Sequence, residues 1–315
     1  MKRFLSLLKL RDESGTSLVI VAISMVALLG FTALVIDGGR LYLEKSKLKK
    51  AVDAAVLAGA QGLTTNQARA IENAEDVSQK NGYPLKKDNL TLTNDSIKAI
   101  KQINVPLTFT SVLGINNADV SATAKAVVTP LKSAKGIAPI AVEKSAVPDQ
   151  TNITCGNVEN ESGKNSPGNC GFLSIDGNGA PYVEDGIKNG SQKIVSIGEK
   201  VFTETGDMNG PIKKAVETDS DSLINSDKDK EWCQSAATAD NTCKRVIYIP
   251  IIDSWEGING KKQVEIIGFA PFWVKEYESQ GKNKSIVGQF ISSVTTGEKG
   301  ESGGYNYLKG VKLVE

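Results

Sequence analysis

The run TSLVIVAISMVALLGFTALVI, Thr16 to Ile36, continues directly into DGGRLYLEKSKLKKAVDAAVLAGA, Asp37 to Ala60, and this junction decides how the chain is read. The first 21 residues carry no charge. A helix of about 20 apolar residues is long enough to cross the hydrocarbon core of a bilayer. A secretory leader has a shorter apolar region, about 7 to 15 residues, ending in an A-x-A-like cleavage site. No such site precedes Asp37, so residues 16–36 are expected to stay as a single transmembrane helix behind a short cytoplasmic tail, residues 1–15. A secreted binding module with a cleaved leader is the alternative.

Beyond the span, Leu41, Leu48, Val52, Ala55 and Gly59 share one helical face, while Glu44, Lys47, Lys49 and Lys50 take the other. This spacing predicts an amphipathic continuation of the same helix. Gly38 and Gly39 permit a bend at the membrane exit. Unbroken, residues 16–60 would form a rod of roughly 67 Å. The small side chains from Ala51 to Ala60 allow close approach of a neighbour, either the chain's own domain or another anchored helix packed laterally.

With 315 residues the chain has room for about two domains. Residues 37–132 read as a first α+β module. It holds a helix signalled by Thr64 and Gln67 in capping-box spacing and stopped at Asn81-Gly82. A hairpin turning at Asn94-Asp95 follows, then a helical turn between Pro106 and Gly114, then a strand alternating from Val120 to Val128. Residues 133–171, with three prolines and two cysteines, read as a linker and a stapled loop. Residues 172–315 read as a second α+β module. Its strands are expected around Gly171–Asp176, Lys193–Gly198, Arg245–Asp253 and Gln263–Tyr277, and its helices at Pro181–Lys188 and Pro211–Asn225. The fold class is therefore α+β: a transmembrane helix running into an amphipathic helix, then a mixed body.

Charge is nearly balanced, 37 Lys+Arg against 36 Asp+Glu, so nothing points to nucleic acid as a partner. The absence of histidine removes Ser-His-Asp hydrolysis, Cys-His proteolysis and HExxH zinc chemistry together. Neither cofactor nor metal is expected. Asp219 with Asp221, and Asp227 with Asp229 and Glu231, alternate as calcium ligands do, but lack the glycine and distal glutamate of a complete loop. They are read as solvated loops. They also supply the only motive for a rival assignment, a membrane-anchored envelope enzyme working through carboxylates.

The four cysteines, Cys155, Cys170, Cys233 and Cys243, are even in number and lie in the last two-thirds of the chain, as expected of a body in an oxidising exterior. Short separations favour Cys155 with Cys170 and Cys233 with Cys243 among the three connectivities. A zinc site is the competitor, without the usual C-x2-4-C knuckles, and four reduced thiols remain open. Lys and Arg are balanced across the span, so the cysteines carry the orientation: a single-pass protein of the cell membrane with its C-terminal body extracytoplasmic.

The arrangement ESG (Glu13 to Gly15), an apolar span, then D-G-G-R-L-Y (Asp37 to Tyr42) and K-x-x-D-A-A-x-L-A-G-A (Lys50 to Ala60) resembles the N-terminal domain of TadE/TadG-like proteins of the tight-adherence, or Flp pilus, assembly system. Val105 to Val128 looks like that family's next recurring piece. The resemblance marks Asp37, Gly38, Gly39 and Arg40 as the membrane-exit motif. It implies a non-enzymatic accessory of pilus assembly or cell-surface adhesion, in contact with the lipid bilayer and with other Tad/Flp membrane proteins or the cell wall. Pilin-like relatives are cut after a glycine and carry Glu at the fifth mature position; here Gly15 is present and that position is Ile20. Larger relatives carry a D-x-S-x-S metal site, for which Asp119, Ser121 and Thr123 are the nearest match; their alternation reads as strand.

Overall fold

The computed structural model describes residues 13–149, 151–155, 169–206, 208–280, 283–295, 297–299, 305 and 307–314. Residues 1–12 of the expected tail and 156–168 of the expected stapled loop lie outside these.

One helix, α1 (Glu13–Gly62), runs unbroken for 50 residues, about 75 Å of rise. It is the one described helix long and apolar enough to cross a membrane. The helix continues through Gly38 and Gly39 without a break: both lie inside it, neither has a positive φ, and a Cβ at either would meet nothing within 4 Å. The two halves of α1 have opposite fates. From Leu18 to Ile36 every side chain but Ala33 is exposed, whereas Leu48, Val52, Ala55, Val56 and Ala60 are fully buried.

What buries them is the chain's own domain. Helix α2 (Gln67–Lys80) folds back on α1 through Ala70 and Ala74. Its N-cap is Asn66, whose side chain accepts the Arg69 N–H at 2.8 Å; Thr64, expected in that role, donates its hydroxyl to the Gln61 carbonyl instead. Strands β1 (Leu90–Leu92), β2 (Ser96–Pro106) and β3 (Asn117–Ala134) form an antiparallel sheet with Ile97 opposite Ala126 and Pro106 opposite Asn117. Ile97, Ala99, Val105, Val120, Ala122 and Ala124 pack against α1. The small residues of α1 are thus spent inside this module.

At 18 residues, about 60 Å, β3 outruns the expected strand and passes into the rest of the body. There β4 (Val142–Glu143), β5 (Asn152–Cys155), β6 (Asn169–Leu173), α3 (Ala180–Asn189), β7 (Val195–Ser196), β8 (Lys200–Thr205), α4 (Asn209–Lys213) and α5 (Leu223–Asp227) precede four strands: β9 (Val246–Ile252), β10 (Gln263–Gln280), β11 (Asn283–Phe290) and β12 (Gly297–Lys299). The second sheet has the order β4-β9-β10-β11-β5, with β8 on β10 and β6 on β8. Its apolar face, with Ile249, Ile251, Phe272 and Val274, packs on Val183, Ile187, Ile212 and Leu223 from the helices.

Three departures from the expected organisation follow from this layout. Residues 133–142 are core, not linker: Ile137, Ala138, Ile140, Ala141 and Val142 are buried, and β4 pairs in parallel with β9. The prolines masked an apolar run. The segment 172–315 is not confined to a second module, because β13 (Lys309–Leu313) pairs with β3 at residues 126–130 while β7 and β12 pair with the far end of β3. The single helix expected over Pro211–Asn225 is broken into α4, a wide turn at Lys214–Thr218, and α5. Ser222 caps α5 by accepting the Asn225 N–H, and side chains of this type offer the backbone such alternatives to helix continuation.

The glycines of α1 give a contrast that can be measured. A Cβ at Gly62 would lie 2.7 Å from the Cα and N of Ala70, which are backbone and cannot yield without moving α2, while nothing lies within 4 Å of one at Gly38 or Gly39. Gly62→Ala should cost about 1–3 kcal/mol and lower the melting temperature of the solubilised chain. Gly38→Ala and Gly39→Ala should each stabilise by about 0.5–1 kcal/mol.

Candidate functional site

Asp37, the first charged residue after the apolar half of α1, is 3% exposed despite its place at the point where burial begins. It is covered by the tip of the β2–β3 hairpin, residues 107–116. Its Oδ1 accepts the Thr108 N–H at 2.9 Å; its Oδ2 accepts the N–H of Phe109 at 3.0 Å and of Thr110 at 2.7 Å, and the Thr110 hydroxyl at 2.9 Å. Three successive amides converging on one carboxylate form an anion nest filled from within the chain. The hairpin tip then makes a 3-10 turn, Thr110–Leu113, closed by Gly114 at φ +83°. Arg40, one turn along α1, donates to the Thr108 hydroxyl at 3.3 Å.

The opposite end of the same pairing is also pinned. At Gly59 the helix comes so close to β2 that a Cβ would meet Ile97 Cδ1 at 2.7 Å. From Asp37 to Gly59 the helix rises about 33 Å, and from Ile97 to Thr108 an extended strand covers about 36 Å. Helix and hairpin are therefore matched in length. Midway, Lys49 bridges Asp53 at 2.9 Å and the Thr123 carbonyl of β3 at 2.7 Å. Glu44 accepts the Tyr83 hydroxyl at 2.7 Å, and burial together with this bond pushes the Tyr83 phenol up to about 12.

Electrostatically, the Thr110 amide does most to hold the Asp37 carboxyl below its ordinary value; burial opposes it, and the bonds from Thr108, the Thr110 hydroxyl and Phe109 add to it. Of the exit motif, Asp37 and Arg40 make the clasp, while a side chain added at Gly38 or Gly39 would meet nothing within 4 Å of its Cβ. The sequence marked Asp37 as an exit residue but not as the receptor for the hairpin tip. The available signal was a lone carboxylate immediately after an apolar span, followed 65 residues later by the start of the uncharged stretch Gln102 to Ala118.

The other singled-out residues fall elsewhere. Cys233 and Cys243 form a disulfide, and both are buried beside Val246 and Trp273 in spite of their polar sequence neighbours. The backbones of Cys155 and Cys170 lie in β5 and β6, and their side chains lie outside the described residues. Gly15, the counterpart of the glycine after which pilin-like relatives are cut, lies in the first turn of α1, and the tail before Glu13 lies outside the described residues. Asp219 and Asp221 both accept from Lys188, as does Glu184. Burial disfavours the Lys188 charge, but the hydrogen bonds to these three carboxylates outweigh it and lift the ammonium above its usual range. Asp227 is buried, paired with Lys230 at 2.7 Å and accepting the Arg245 N–H at 2.8 Å. Asp227 also lies within 4.8 Å of the Cys233 and Cys243 sulfurs, but these are bonded to each other, and a disulfide is not a thiolate ligand. Asp119, at the start of β3, accepts from Asn104 across the hairpin at 2.8 Å.

Residues 15–62 match the family model described as putative Flp pilus-assembly TadE/G-like. The matched segment ends on Gly62, the last residue of α1, so the likeness covers the long helix and stops where it does. No curated protein and no solved structure matches the chain.

Two outcomes follow. A depressed carboxyl stabilises the folded state above its unfolded value, 3.8 for Asp37, and that contribution is lost as pH falls through the lower folded value. At neutral pH chymotrypsin should cut after Phe109 slowly in the parent and much faster in Asp37→Ala, and the parent should approach the variant's rate only well below pH 4, tested with an acid-active protease. Replacing Cys233 and Cys243 by serine removes a crosslink between residues 10 apart and should cost about 3 kcal/mol in chemical unfolding.

Proposed function

We propose that this chain is a non-enzymatic, single-pass membrane protein of the TadE/TadG type, accessory to Flp pilus assembly or cell-surface adhesion, with its body outside the cytoplasm. The observation that carries this reading is the divided burial of α1: one continuous helix whose matched TadE/G-like segment has an N-terminal half exposed on all sides and a C-terminal half forming the core of the body.

Twelve Leu, Val, Ile and Phe residues between Leu18 and Ile36 favour insertion by on the order of 5 kcal/mol. Thr32 satisfies its hydroxyl within the helix, on the Leu28 carbonyl at 2.8 Å, as a polar side chain in lipid must. An extracytoplasmic body is supported by the Cys233–Cys243 disulfide, which persists in oxidising compartments. A non-catalytic role is supported by the employment of the conspicuous carboxylates: Asp219 and Asp221 hold Lys188, and Asp227 holds Lys230 and the Arg245 amide. The body then acts by contact with pilus-assembly proteins or the cell wall, displayed by a helix it cannot swivel against.

The test is fractionation followed by crosslinking in intact cells. The chain should stay in the membrane pellet through an alkaline carbonate wash, and crosslinks from the body should recover Tad/Flp assembly components. Release by carbonate, or crosslinks confined to cytosolic proteins, would overturn the assignment.

A further inference from the structure

The clasp at Asp37 fixes where the hairpin tip stands relative to the end of the span. Ile36 is the last residue of the uncharged run, and the amides of Thr108, Phe109 and Thr110 are bonded to the very next side chain. The tip therefore lies at the level at which α1 leaves the hydrocarbon. It is also suited to that level. No charged residue occurs between Gln102 and Ala118, and Phe109 and Ile115 project from the tip at 41% and 54% exposure. On α1, Tyr42 and Leu43 are likewise exposed, 74% and 57%, about 8 to 9 Å of rise beyond Asp37. The headgroup layer on each side of a bilayer is about 5 to 8 Å thick, and it favours amphipathic aromatic rings and arginine.

We propose that Phe109 and Ile115 of the hairpin tip, with the guanidinium of Arg40, form a collar that rests in the headgroup and upper acyl region of the leaflet from which α1 emerges, with Tyr42 and Leu43 of α1 at the outer edge of the headgroup layer. This rests on the anchored reading above and adds a second membrane contact to it. The occupant is the bilayer because the collar is continuous with the span through α1 and the Asp37 bonds. A contact at two places, the span and the tip, fixes the tilt of the body as well as its distance from the membrane. The body is seated on the lipid, not held off it on a stalk.

The full chain, reconstituted in vesicles of phosphatidylethanolamine and phosphatidylglycerol, tests this with nitroxides at single added cysteines: Phe109→Cys and Ile115→Cys at the tip, Leu28→Cys within the span and Ile194→Cys on the body, each read against the unsubstituted chain for background labelling. Both tip positions are exposed, so neither substitution opens a core. Accessibility to oxygen relative to a water-soluble nickel chelate should be highest at position 28, lowest at 194, and several-fold above 194 at both 109 and 115. Tip labels that behave like 194 while 28 reports lipid would overturn the collar and leave the anchor standing. An aqueous reading at 28 would overturn both. Low accessibility to both relaxants at 109 and 115 would place a second protein surface there and overturn the lipid assignment.

Discussion

The rest of the structure depends on one constraint: the helix that leaves the apolar region without a break is also the central core element of the folded body. Leu48, Val52, Ala55 and Val56 are fully buried between α2 and the β1–β2–β3 sheet, so α1 cannot rotate or slide without dismantling that core. Close-packed interiors resist such movement, because small displacements already forfeit contact energy along the whole face. The Asp37 clasp at one end and the Gly59–Ile97 approach at the other hold helix and hairpin in register over their common length. A force on the body is thereby passed to the apolar half of α1 through a stiff element.

Strand β3 carries the same rigidity outward. Its first half packs on α1, its residues 126–130 take β13 from the C-terminal end of the chain, and its last residues take β7 and β12. The two sheets share no strand; they are joined by a common core in which Leu131 and Ala134 of β3 pack with Ile266 and Phe269 of β10, and by buried residues 137–142 leading into β4, an arrangement that favours one mechanical body over two modules on a tether. The Cys233–Cys243 bridge and the Lys188 and Asp227 networks stiffen the helical segments between β6 and β9.

Much of this was legible in the sequence wherever local chemistry decides structure. The uncharged run, the helical spacing from Leu41 to Gly59, the Asn94-Asp95 turn and the alternation from Val120 to Val128 each obey a period that a short window reveals. The α+β class and the 15–62 likeness came from the same signals. What escaped was non-local. Nothing in KGVKL near the C-terminus indicates that it pairs with Val127 and Val128 some 180 residues earlier, and the prolines at 139 and 148 outweighed the apolar run that buries Ile137 and Ile140. At the candidate site, Asp37 and Arg40 were visible as a motif, but their partners at 108–110 are brought to them only by the matched lengths of helix and hairpin. The burial of Cys233 and Cys243 was likewise a matter of distant neighbours, Val246 and Trp273, not of the polar residues beside them.

Hydrogen–deuterium exchange on the full chain in lipid nanodiscs tests the central claim most directly, because amide protection reports helix continuity and lipid burial residue by residue. The account predicts slow exchange running without interruption from Leu18 to Ala60, including Gly38 and Gly39, with the apolar half protected by lipid and the amphipathic half by the protein core. Rapid exchange between Asp37 and Leu43, or an apolar half that exchanges as a helix in water does, would contradict it.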